Sequence, residues 1–250
     1  ADMYTYNASS TGLTGVIPTW IQEGGHRAWI NRMQEAGPRK RVIEDIKIEL
    51  KDQSPEGILM VGFNKNSMAK KYMGMTIAEA AKKRNQTPEE AIVDLVIEDD
   101  SRIQCIYFSM SEDNIRKKIK LPWMSFCSDA GSYSNPPDGF RTHPRAFGSF
   151  IRVLGKYSRD ESLLSLEEGV RKLTGLPAKN LGLKYRGLLK EKYFADVVVF
   201  DPEKVKDNAT FNDPIQYAEG IEHVFVNGQQ VLKNGQHTGV LSGKFVKGPG

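Results

Sequence analysis

The densest run of chemistry-bearing residues is Cys127-Ser128-Asp129-Ala130-Gly131, continued by Asp138-Gly139 and Thr142-His143-Pro144-Arg145. An apolar, strand-like stretch (residues 123–126) leads directly into it. An acid at the C-terminal end of such a strand, entering a glycine-rich loop, stands where α/β folds place groups that move protons. The plain alternative is that Asp129 caps the loop or helix that follows. His143 and Arg145 flank a proline, which stiffens the backbone between them, and an arginine held this way suits bidentate capture of a carboxylate. The alternative there is a surface arginine beside a packed histidine. Tyr4, Tyr6, Ser9, Ser10 and Thr11 gather hydroxyls at another strand end, a pattern common to many polar loops.

Several chemistries drop out. His26, His143, His223 and His237 form no His-x-His pair and no His-Glu-x-x-His, and Cys105 and Cys127 form no Cys-x-x-Cys, so the spacing offers no metal site built from this chain alone. There is no glycine fingerprint for a dinucleotide, no phosphate-binding loop and no Gly-x-Ser-x-Gly elbow. A net charge of +4 over 250 residues, with basic clusters interleaved with acids, leaves no footprint for nucleic acid. No apolar run approaches the roughly 20 residues of a membrane helix. With two cysteines and no basic-plus-apolar leader, the expectation is a reducing, cytoplasmic compartment.

The elements that must position these residues follow from periodicity and punctuation. Residues 1–6 alternate like a strand, and a chain that starts inside a strand reads as cut from a longer one. Helices are expected over 26–36, stopped by Gly37-Pro38, and then to about residue 51. Thr76 with Glu79, and Thr87-Pro88-Glu89-Glu90, are two helix starts. Strand 103–110, helix 112–119 and strand 123–128 read as one parallel crossover unit. After a long loop over 129–143, helices are expected over 147–157 and from Ser165 to a stop at Gly175 and Pro177. Beyond Leu183 the texture becomes short strands joined by Asn227-Gly228 and Asn234-Gly235, the strongest local hairpin signals. The α/β region has too few strands for a complete eight-stranded barrel, and the tail has too few for a complete sandwich.

Several segments in order carry a resemblance. They are the opening Ala1-Asp2-Met3-Tyr4-Thr5-Tyr6-Asn7-Ala8-Ser9-Ser10-Thr11, then Ser128-Asp129-Ala130, His143-Pro144-Arg145 and Thr174-Gly175-Leu176-Pro177-Ala178. Ala195-Asp196-Val197-Val198-Val199-Phe200-Asp201-Pro202 and Val224-Phe225-Val226-Asn227-Gly228 complete the series. Together they resemble the C-terminal half of the N-acyl-D-amino-acid deacylases (D-aminoacylases) of the amidohydrolase superfamily. The resemblance implies an α/β fold: the C-terminal part of a metal-dependent (β/α)8 barrel over 1–182, with a helical lid insertion at about 12–100. Strands of a small β-sandwich would follow over 183–250. It implies a zinc enzyme that cleaves the amide of N-acyl-D-amino acids to a D-amino acid and a carboxylate. Asp129 would be the general base and a weak or second-site metal ligand. Tyr4, Ser10 and Arg145 would hold the substrate carboxylate. The main zinc ligands would lie outside this chain, so the implied partners are the small-molecule substrate and the missing N-terminal half. His143 matches a motif residue without an implied role, and Thr5 stands where the family usually has proline. Two other readings stay open: a fragment of a cyclic-amide hydrolase of the dihydropyrimidinase type, and a non-catalytic interaction domain.

Overall fold

A computed structural model describes residues 1–133 and 141–248, so Asp138-Gly139 and part of the long loop after Asp129 lie outside the described residues. The chain divides into two compact units: residues 7–111 with 141–143, and residues 1–6, 112–133 and 144–248.

The first unit is a three-stranded antiparallel sheet under helices. Strands β2 (Ser9–Gly12), β3 (Ile58–Gly62) and β4 (Gln104–Tyr107) lie in the order β2-β4-β3. Helices α1 (His26–Arg32), α2 (Ala36–Glu49), α3 (Asn66–Tyr72), α4 (Ile77–Arg84) and α5 (Pro88–Asp99) surround a core that includes Ile58, Met60, Leu95, Val96, Cys105 and Tyr107. Both expected capping boxes form: Thr76 and Thr87 each accept from the backbone N–H three residues on, and Glu79 and Glu90 return the bond. Thr87→Ala should therefore cost about 1 kcal/mol, seen as a lower urea midpoint at unchanged slope. Gly37-Pro38 does not stop a helix. The chain breaks earlier, after Arg32, and the pair falls in the first turn of α2, where a missing N–H removes no intrahelical bond.

The second unit holds the short parallel pair β1 (Asp2–Met3) and β5 (Ser125–Phe126), with Asp2 opposite Ser125 and Met3 opposite Phe126. Around it lie α6 (Glu112–Ile119), α7 (Arg145–Arg152), α8 (Leu166–Leu173) and α9 (Gly175–Asn180). Helix α7 runs on into a wide π-type helix, Val153–Asp160. Phe126, Ile115, Ile119, Val153 and Tyr157 form its core. A four-stranded antiparallel sheet follows, β6 (Val197–Phe200), β7 (Ile221–Val226), β8 (Gln229–Lys233) and β9 (Gln236–His237), in chain order. Both Asn-Gly pairs have positive φ at each residue (50° and 80°, 50° and 73°), the backbone that a two-residue hairpin of matching twist requires.

The expected crossover of 103–128 is corrected by this topology. Strand β4 pairs antiparallel with β2 and β3, whereas β5 pairs with β1 near the start of the chain. A short apolar run states that it is buried, not which strand it will pair with, and the partner of β5 lies far upstream.

Candidate active site

Asp129 follows β5 after Cys127 and Ser128, and Tyr4 follows β1 directly, so both leave the C-terminal ends of the parallel pair. The pair is held by Ser125 N–H donating to Ala1 O at 3.0 Å and Cys127 N–H donating to Met3 O at 3.0 Å. The turn entering β5 is fixed by the fully buried Lys172, whose Nζ donates to the carbonyls of Leu121 and Met124. Sequence reading did not single out this lysine. Its only local signal is a cation in the last turn of an amphipathic helix, a place usually exposed.

Asp129 has φ +47°, a left-handed conformation that aspartate tolerates better than most residues, and the chain turns sharply there. Its carboxylate is exposed (61%), and Oδ2 lies 2.9 Å from Nη2 of Arg145, whose side chain is only 10% exposed. Arg145 is the first residue of α7, and its carbonyl accepts from Ser149 Oγ at 2.8 Å. Its guanidinium lies 4.6 Å over the ring of Tyr4. Burial pushes the Tyr4 phenol up and outweighs the opposing effect of Arg145, so the hydroxyl stays protonated and able to donate. The result is a fixed, buried cation beside a phenol donor, already bearing one carboxylate. Of the two partners in the ion pair, only Asp129 is exposed.

Asp129 also lines a cavity of about 830 Å³ whose walls include Ser125, Cys127, Phe150, Pro177 and Leu181. That lies within the usual size range of small-ligand sites. Burial, with the charges of Asp2 and Asp129 adding to it, pushes the Cys127 thiol up, which argues against a thiolate there.

Ser10 and His143 fall in the other compact unit. Ser10 Oγ donates to Cys105 O at 2.9 Å and accepts from Gln104 Nε2 at 2.9 Å, so it is engaged along the β2–β4 ladder. His143 is buried (2%), and its Nε2 lies 2.8 Å from Ala8 O. A carbonyl only accepts, so Nε2 carries the proton, and His143 anchors the backbone just before Ser9 and Ser10.

Comparison with known proteins places these residues in context. The profile of the amidohydrolase family matches residues 100–232. The chain is 40% identical over 174 residues to a D-aminoacylase of Alcaligenes xylosoxydans xylosoxydans, covering 69% of this chain and 34% of that relative. Its fold superposes on a D-aminoacylase with a binuclear metal centre, where one metal activates and the second attenuates (TM-score 0.72, 32% identity, 98% of this chain, 42% of the other). It also superposes on N-acyl-D-glutamate deacylase from Bordetella bronchiseptica bound to zinc and a phosphonate that mimics the tetrahedral intermediate (TM-score 0.66, 30% identity, 92% and 39%). The chain thus spans about a third of the length of the curated relatives it matches.

Asp129 and the other described residues do not by themselves fit a metal centre. Among the described residues no group of three or more His, Cys, Asp or Glu could hold an ion. Asp129 brings one carboxylate, of which one oxygen is already on Arg145.

Proposed function

The chain belongs to the amidohydrolase family, and from that premise we propose that it forms part of a hydrolase cleaving the amide of N-acyl-D-amino acids. The observation that carries the reading is the buried Arg145 guanidinium, stacked on Tyr4 and bearing a carboxylate at 2.9 Å. In the resting protein that carboxylate is Asp129. A substrate carboxylate of the same shape and charge would take its place on Arg145, with the Tyr4 hydroxyl as a second donor. The exposed Asp129 side chain would then be released beside the cavity. Two fixed donors on one end of the substrate orient the amide at the other, and the freed carboxylate takes a proton from the attacking water, whose oxygen bonds to the amide carbon, and delivers it to the nitrogen as the C–N bond breaks.

Zinc would be held by residues outside the chain, with Asp129 contributing one weak contact. The barrel portion would run over 1–182 with a lid at about 12–100, and the sandwich strands over 183–250.

The test is calorimetric titration of the full-length protein with N-acetyl-D-glutamate and with its α-methyl ester, paired with a zinc-supplemented hydrolysis assay. The acid is expected to bind at least about 10-fold more tightly, as a lost charge-assisted hydrogen bond costs about 1.5–3 kcal/mol. D-Glutamate should be released, with neither the L enantiomer nor a hydantoin turned over. Equal binding of acid and ester removes the carboxylate site, and hydantoin hydrolysis would favour the cyclic-amide reading.

A further inference from the structure

Residues Thr5 and Tyr6, directly after Tyr4, are bound into a buried network centred on Arg152 and Asp207. Arg152, the last residue of α7, donates from Nε to Thr5 O at 2.9 Å, and Tyr157 Oη, which donates to Glu112 Oε1 at 2.7 Å, lies 3.3 Å from the same carbonyl. The Thr5 hydroxyl donates to Ser149 O at 2.9 Å. Tyr6 Oη donates to Asp207 Oδ2 at 2.6 Å, and the Arg152 guanidinium lies 4.5 Å over the Tyr6 ring with Nη1 3.4 Å from the same carboxylate oxygen. Asp207 is itself held by Ala209 N–H at 2.8 Å to Oδ1. Thr5 and Tyr6 are almost fully buried (0% and 3%), so none of this is a surface accident.

The arrangement repeats that of the site. Tyr4 and Tyr6 flank Thr5 in the bend that leaves β1. Arg145 and Arg152 stand two turns apart on one helix, and therefore on nearly one face. Arg145 stacks on Tyr4 and Arg152 on Tyr6, with the Tyr157 ring farther off at 5.9 Å, so the strand end and the helix are joined by two rungs. The upper rung, Arg145 on Tyr4, carries Asp129, which lines the cavity, and would grip substrate. The lower rung has its own counter-ion, Asp207, and binds the carbonyl of Thr5, the residue between the two tyrosines. Gly148, between the rungs, leaves room for this: a Cβ there would lie 2.0 Å from Tyr6 Oη and 2.1 Å from Asp207 Oδ1.

We infer that Arg152 and Asp207 are positioning residues that set the distance between the Tyr4 phenol and the Arg145 guanidinium, and so the geometry in which a substrate carboxylate is held. The inference rests on the proposed carboxylate site. Burial, together with Asp207, pushes the Tyr6 hydroxyl well up, so it remains a donor throughout the working pH range and the lower rung stays closed.

The test places 3-fluorotyrosine at position 4 of the full-length protein and reads its fluorine resonance, together with binding of N-acetyl-D-glutamate and its α-methyl ester. Arg145→Lys, which removes the stacked guanidinium directly, provides the reference shift. Arg152→Gln is expected to move the resonance more than halfway to that reference and to reduce the acid-over-ester preference about 10-fold, with ester binding unchanged. A merely structural role would lower the melting temperature and leave both the resonance and the preference at wild-type values, and that result overturns the inference. Should Arg152→Gln not fold, the near-isosteric Asp207→Asn takes its place, with the same direction expected and the same overturning result. If the wild type binds acid and ester alike, the carboxylate reading fails on its own. The fluorine resonance would still report whether the lower rung sets the upper one.

Discussion

Asp129→Asn is expected to lower kcat of the full-length protein about 10³-fold while strengthening, not weakening, its grip on a carboxylate ligand. The first half follows from chemistry: an amide side chain cannot accept and return the proton, and a positioned acid–base group is worth about 10²–10⁴-fold. The second half follows from the structure, because Asp129 and the ligand compete for the same guanidinium. The carboxylate is 61% exposed, so the pair it makes is worth about 0–1 kcal/mol, and its removal should tighten binding by up to about 5-fold. Asparagine is the clean substitution. It tolerates the φ of +47° at this position, where alanine would add backbone strain to the lost charge. The measurement is D-amino-acid release beside titration of a carboxylate inhibitor. Turnover within 10-fold of wild type would remove Asp129 from the proton-carrying role, and weakened inhibitor binding would show that its carboxylate does not compete.

What was legible in the sequence divides by range. Local devices read directly: the two threonine capping boxes, the Ser165 cap and both Asn-Gly hairpin turns formed as their chemistry requires. Each rests on residues within four positions of one another. Tyr4, Asp129 and Arg145 were singled out from strand-end position and a stiffening proline, and the fold brings those three side chains together. Long-range pairing did not read. Nothing near β5 announces that its partner is β1, and an apolar β4 fits an antiparallel sheet as well as a parallel one. Gly37-Pro38 misled because proline ends a helix from inside yet suits its first turn, and the boundary shifted by only a few residues. The buried supports, Lys172 and Asp207, were invisible for another reason. Charged residues are mostly exposed, and only the carbonyls of Leu121 and Met124, or the Tyr6 hydroxyl with Arg152, identify these two as exceptions.

The substitution that most sharply separates charge from geometry is Arg145→Lys. It keeps the positive charge, so a site that works by electrostatic attraction alone would lose little. The structure argues otherwise. Arg145 is 8% exposed, lies flat 4.6 Å over the Tyr4 ring, and directs Nη2 at a carboxylate oxygen. A lysine ammonium is a point donor on a flexible stem and presents neither the plane that stacks nor the fork that takes two oxygens at once. Losing one of two charge-assisted hydrogen bonds costs about 1.5–3 kcal/mol, roughly 10- to 10²-fold in affinity. The loss should therefore fall on KM for the free acid, with kcat following only as far as the amide end of the substrate is less well oriented. The α-methyl ester, which offers Arg145 no carboxylate, should be nearly indifferent to the change. Steady-state rates on acid and ester, measured for wild type and variant, give four values and one decisive ratio. A fall in the acid-to-ester ratio of kcat/KM by 10-fold or more assigns the fork to the substrate carboxylate. An unchanged ratio, with both substrates weakened together, would make Arg145 a structural partner of Tyr4 and Asp129 and return the carboxylate grip to other residues.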